Sequence, residues 1–182
     1  MLRAYTGRHL LVAMLAIAGL VTLGGAVASA RVAQPPPGAA PGSAGTSGVT
    51  LAGLDPAVAP GYRLVVVENT WAPGAYVTRH THPTAIVVCV QSGALGFAIQ
   101  AGTATVTRAG TGATPEATEP LALDTEVVLG PRDCVAFDHF AAHTEHTGWN
   151  ASDGPTVLWE ARLLKVDEPF TTYVDEQGTP VP

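Results

Sequence analysis

Lysine is almost missing from this chain: Lys165 is the only one, and Lys and Arg nowhere form a run. With a formal net charge of −6, the protein has no basic footprint for a phosphate backbone, which excludes nucleic acid as a partner. Charged residues of both signs amount to 13%, too few for a disordered polyelectrolyte. Also lacking are a Gly-x-Ser-x-Gly elbow, a Walker loop, a dinucleotide fingerprint and a His-Glu-x-x-His helix, and the chemistries those motifs carry are set aside with them. Glu116, Glu119, Asp124 and Glu126 lie in or beside a polar loop and read as solvated charges rather than a glycosidase pair. No internal repeat, heptad pattern or convincing amphipathic helix is found.

What is present suffices for one domain, since 182 residues at 47% hydrophobic content can bury a single good core. Residues 1–30 read as a signal peptide. Arg3 and Arg8 precede an uncharged apolar run from Leu10 to Val27, and Ala28-Ser29-Ala30 has the small-x-small form needed for cleavage after about Ala30. The alternative is an uncleaved membrane anchor, because the run approaches the length of a span; a membrane partner follows only in that case. No Cys ends the run, which speaks against a lipoprotein. Either way the domain is expected outside the cytoplasm, exported or in the cell envelope. Residues 31–53, rich in Pro, Gly, Ala, Ser and Thr, read as a flexible spacer, and the folded domain is expected over 54–182.

Within that domain, short segments rich in Val, Ile, Thr and Tyr alternate with turn residues. Strands are expected at 62–69, 75–82, 84–91, 94–100, 103–108, 125–129, 132–137, 143–150 and 155–165. They are broken at Gly93, Gly102, Gly110, Gly130-Pro131 and Asp153-Gly154-Pro155. This spacing predicts an all-β fold, an antiparallel sandwich or barrel. Residues 109–124 read as a long polar loop at one mouth. The tail from Asp167 reads as an arm along the barrel or against a partner.

The histidines concentrate the chemistry. Outside His9, all of them (His80, His82, His139, His143 and His146) fall in two windows. On a strand, His80 and His82 leave the same face with Cα atoms roughly 6–7 Å apart, so two rings can converge on one ion or ligand. Neutral imidazoles suit zinc, copper, iron and nickel, and three around an open position make a catalytic type of site. His139 reads as a turn residue. Ile86 shares the parity of His80 and His82 and is expected to face the cavity. Tyr76, Phe97, Phe137 and Trp159 read as core or cavity wall.

Gly74, then five residues to His80-x-His82, and later Gly93, resembles the first motif of the cupin superfamily in spacing. Asp133 to Asn150, with His146 followed four positions on by Asn150, resembles the second. The resemblance covers roughly Tyr62 to Val166 and implies a small jelly-roll β-barrel. There are two departures. The metal-binding Glu that such a motif carries four residues after its second His is Ile86 here, and the usual Pro-x-Gly before the third His is replaced by Asp138-His139-Phe140. Counting from Asp138 selects His143 as third ligand, whereas counting back from Asn150 selects His146. On a continuous strand the two point to opposite faces, so His146 is favoured, with His143 or Glu145 in reserve.

The resemblance thus implies a divalent transition metal (Fe, Mn, Ni, Cu or Zn) held by His80, His82 and His146, with no catalytic residue assigned. Without the Glu, the site's net charge is about +2, which favours an anionic substrate or a bound hydroxide. The implied function is an oxygenase-like, dioxygenase-type metalloenzyme acting on a small molecule. The alternatives are a non-catalytic small-ligand or metal-binding module, or an oligomeric protein with a vestigial site. A homodimer is implied by resemblance only. In a cupin barrel the strands of Cys89 and Cys134 are neighbours, and Cys89 has the parity that faces away from the cavity. A Cys89–Cys134 disulfide is therefore implied.

Overall fold

The computed structural model describes residues 34–112, 114 and 117–181; the signal-peptide reading lies outside them. Among the described residues no helix is long and apolar enough to cross a membrane. The chain forms strands β1 (Ser43–Leu54), β2 (Tyr62–Thr81), β3 (Thr84–Ser92), β4 (Leu95–Ala101), β5 (Thr105–Thr107), β6 (Thr118–Pro120), β7 (Val127–Leu129) and β8 (Cys134–Asp138). A single helical turn, α1 (His139–Ala142), is followed by β9 (Glu145–Asn150), β10 (Thr156–Lys165) and β11 (Thr172–Tyr173).

The strands make one antiparallel sheet in the order β6-β5-β8-β3-β10-β2-β9-β4-β7, with β1 and β11 also on β2. The sheet curls because β2 serves two layers. Its first half, Tyr62 to Trp71, pairs with β10, and its second half, Tyr76 to His80, pairs with β9. The bend between them is Ala72-Pro73-Gly74-Ala75, where Gly74 adopts φ 75°, a conformation open to glycine at no steric cost. Buried Asn150 holds the bend, donating Nδ2 to the carbonyls of Trp71 (3.0 Å) and Ala72 (2.9 Å). The edges β6 and β7 are not paired to each other, so the barrel is open along one seam. At Gly93 (φ 78°) a Cβ would stand 2.5 Å from Thr156 Oγ1 and 2.7 Å from the Pro155 carbonyl, so only glycine fits that turn.

Three expectations about elements change. Two strands expected at 62–69 and 75–82 are one, since the bend at Pro73-Gly74 redirects the strand without ending it. The expected spacer contains β1, paired with β2 from Ser43 to Leu54; its residues are mostly exposed. The segment holds its place through backbone hydrogen bonds on the edge of β2, which its small side chains do not advertise. The polar loop at 109–124 carries the short strand β6, paired with β5.

Inside the curl, Ile86, Val88 and Val90 of β3, Leu95, Phe97 and Ile99 of β4, and Val135 and Phe137 of β8 form a core with Leu129 and Leu158. On the outer face Cys89 and Cys134 are paired in the β3–β8 ladder, and their sulfurs form a disulfide. Closing that loop stabilises the fold by about 4 kcal/mol on the chain-entropy account. The tail crosses one mouth of the curl: β11 pairs Tyr173 with His80 and Thr172 with Thr81, and the Val174 amide donates to the Arg79 carbonyl.

Candidate metal centre

His80 lies near the end of β2, directly opposite His146 of β9 in the ladder, and His82 follows just beyond β2. All three are buried. Each offers one ring nitrogen, and these nitrogens lie within 4.8 Å of one another. His80 Nδ1 donates to the Thr78 carbonyl at 2.7 Å, and His82 Nδ1 donates to the Phe170 carbonyl at 2.8 Å. A carbonyl can only accept, so both protons sit on Nδ1 and both Nε2 atoms present lone pairs. Those two Nε2 atoms face each other at 3.1 Å. The His146 ring lies against Phe97 and Phe137, centroids 5.0 and 4.6 Å away, and its Nδ1 is buried with no hydrogen-bond partner.

Burial drives His80 down from 6.5 to about 4, against the smaller pull of the Thr78 carbonyl. Burial, then the neighbouring His80, pushes His82 well below its ordinary value. His146 is lowered in the same direction by burial, then by His80 and His82. Three neutral imidazoles, two of them with carbonyl-anchored Nδ1 protons, are the form in which histidine binds a transition ion. Two opposed lone pairs at 3.1 Å are unfavourable as they stand and are relieved by a cation. The residues fit a metal.

The remaining sequence candidates separate cleanly. His143 is exposed and caps α1 in the left-handed conformation, φ 49°, so the chain is not a continuous strand between it and His146, and His143 stays outside the cluster. Glu145 pairs with Arg79 at 2.7 Å. His139 binds Thr81 Oγ1 at 2.6 Å. Ile86, Phe97 and Phe137 line a cavity of about 250 Å³ that contains the three histidines. Tyr76 and Trp159 do not line it, contrary to expectation. A bulge between Val77 and His80 shifts the parity of β2, bringing Val77 to the cavity and leaving Tyr76 outside. Trp159 is half exposed on the outer face, where its Nε1 donates to Glu68 Oε2 at 2.9 Å.

Other cavity residues were not anticipated from the sequence. Glu160 and Arg162 line the cavity, and alternation from Leu158 could have found them. Asn69 and Trp71 come from the first half of β2, and Phe170, Thr171 and Tyr173 come from the tail; nothing local marks them. Phe170 stacks on His82 with centroids 4.2 Å apart.

Scans of family models and of curated proteins return no match. Among solved structures, a cupin 2 domain-containing protein from Halorhodospira halophila is similar at 19% identity and TM-score 0.44, over 74% of this chain and 73% of that one. A cupin-superfamily sugar phosphate isomerase from Silicibacter pomeroyi has 18% identity and TM-score 0.41, over 65% and 71%. KdgF from Halomonas sp. has 18% and 0.39, over 64% and 89%. At these identities and TM-scores the likenesses carry nothing about substrate or chemistry. The chain's own architecture, one curled antiparallel sheet with its two histidine windows meeting in one cavity, is the all-β jelly-roll type of fold that the motif resemblance implied.

Proposed function

We propose that this is an exported cupin metalloprotein in which His80, His82 and His146 hold a divalent transition ion, and that it acts on a small molecule as an oxygenase-like enzyme. The observation that carries this reading is the pair of Nε2 lone pairs opposed at 3.1 Å, each fixed by a carbonyl behind its ring. An ion bound there supplies a Lewis-acidic and, for iron, manganese, nickel or copper, redox-capable position beside the cavity. The Thr78 and Phe170 carbonyls hold the proton on Nδ1 and orient the two rings. Phe97, Phe137 and Ile86 exclude water from one side of the cluster. With no carboxylate in the ligand set, the centre keeps the full charge of the ion, which favours anionic ligands. The disulfide supports export, since such bonds persist in oxidising compartments.

A second reading, a binding or sensing module without turnover, is favoured by one observation. Glu160 is the only carboxylate among the described cavity residues, and both its oxygens are engaged by Asn69 and Arg162, so no unengaged carboxylate is at hand as a general base.

Metal analysis of the purified protein beside the His80→Ala/His82→Ala variant tests the centre. Near-stoichiometric metal lost in the variant is expected. No metal in either, with no thermal shift on adding ions, overturns it. Dioxygen uptake with small carboxylic acids then separates the enzyme from the module.

A further inference from the structure

Glu160 and Arg162 are two apart on β10 and share its inward face with Leu158. Their side chains are 8% and 12% exposed and joined at 2.5 Å. Taking a carboxylate and a guanidinium out of water is expensive even when they pair. The arrangement is rigid. Asn69 Nδ2 donates to Glu160 Oε1 at 2.5 Å, and Arg162 Nε donates to Oε2 at 2.7 Å. The guanidinium carbon lies 3.9 Å from the centroid of the Phe170 ring. One edge of the fork is therefore spent on Glu160 and one face on Phe170. Among the described residues the Nη1 end has no acceptor, and it is not sealed from solvent as the orphaned atoms of His146 and Trp149 are. Arg162 lines the same cavity as the histidines, and His82 stacks on the same Phe170 ring.

We propose that Arg162 is an anion subsite of this cavity: its Nη edge takes the carboxylate of a small monocarboxylic acid whose other end lies at the histidine cluster. A guanidinium edge matches a carboxylate with two parallel hydrogen bonds, which an ammonium cannot offer. Glu160 does not repel such a ligand strongly, because its own charge is already shared with Arg162 and its oxygens are occupied. The cavity walls include Val77, Ile86, Val88, Leu95 and Leu158, with Ser43, Thr46, Thr171 and Tyr173 as polar points, so the body of the acid meets mostly apolar side chains. At about 250 Å³ the cavity is below the usual drug-sized range of roughly 300–1,000 Å³, which limits the ligand to a short-chain or single-ring acid. The proposal deepens the metal-centre reading and rests on it only for what lies at the far end of the ligand.

The test is titration calorimetry of the purified protein, metal-loaded and chelator-treated, with butyrate and benzoate and with their neutral amides, butyramide and benzamide. Wild type is expected to bind at least one acid tenfold or more tighter than its amide. Arg162→Gln should abolish that preference while keeping the metal content of wild type. Arg162→Lys retains the charge without the fork and should keep only part of the preference, which guards against a folding defect in the first variant. Equal binding of acid and amide by wild type, no binding of either acid, or a preference that survives in Arg162→Gln overturns the subsite. A preference that needs Arg162 in a protein that holds no metal leaves the subsite standing and defeats the metal-centre reading. Bound metal with no preference does the reverse.

Discussion

Ile86 of β3 stands directly opposite Arg162 of β10 in the ladder. The position where the motif resemblance expects a metal-binding carboxylate is thus buried and apolar, and its cross-strand neighbour carries a positive charge. Negative charge at this end of the cavity comes instead from Glu160, already held by Arg162 and Asn69.

Ile86→Glu tests what that substitution means. In the metal-free protein a carboxyl replaces a buried isoleucine, and stability should fall by about 1–3 kcal/mol, the cost of an incompletely paired buried polar group. Added divalent metal should then raise the melting temperature more than it does in wild type, because a fourth ligand has been supplied. Thermal melts with and without metal read both effects. An identical metal response in the two proteins would mean that position 86 does not reach the ion.

His143 and His146 should behave oppositely. His146→Ala is expected to lose most bound metal, since it deletes one of three converging nitrogens. His143→Gly should keep full metal content and be neutral to about 1 kcal/mol more stable, because glycine adopts the left-handed cap without strain. Metal analysis and denaturant titration of the two variants check this, and loss of metal in His143→Gly would reverse the assignment.

Acid should destabilise the metal-free protein through the same cluster. The folded values for His80, His82 and His146 lie below the ordinary 6.5, so below that pH the unfolded chain binds more protons than the native one. Their contribution is complete above about pH 6.5 and is lost as pH falls. For His80, with a folded value of about 4, the loss amounts to about 3 kcal/mol. Urea titrations of chelator-treated protein across the range from neutral to mildly acidic pH should show this decline. A flat profile would mean that the three rings are not buried in neutral form.

Thiol titration in denaturant without reductant should find no reactive cysteine, as both are paired. Replacing Cys89 and Cys134 by serine should lower stability by up to about 4 kcal/mol. The metal content should hold, because both positions face away from the cavity.

Much of the fold and of the site is legible in short stretches of residues. The two-residue period of β3 and the hydrophobic segments around it mark strands, and the His-x-His spacing places two imidazoles on one face, because strand alternation is local geometry. Pairing Cys89 with Cys134 needs the resemblance as well, since the bond joins residues 45 apart in sequence. Expectation and fold part where local signals are silent. Tyr76 falls outside the cavity because a bulge in β2 alters parity and no residue announces it. β1 has the composition of a spacer, and its place on β2 rests mainly on a backbone ladder that small residues do not advertise.

By itself, the sequence determined an all-β chain with five histidines in two windows, and it did so through short-range preferences written in adjacent residues. Only the tertiary structure decided that His146 rather than His143 joins His80 and His82, because a single turn of helix ending at a left-handed residue intervenes. Only it brought Phe170 behind His82 and laid the tail against β2, because the path of the tail is settled by partners far away in the chain.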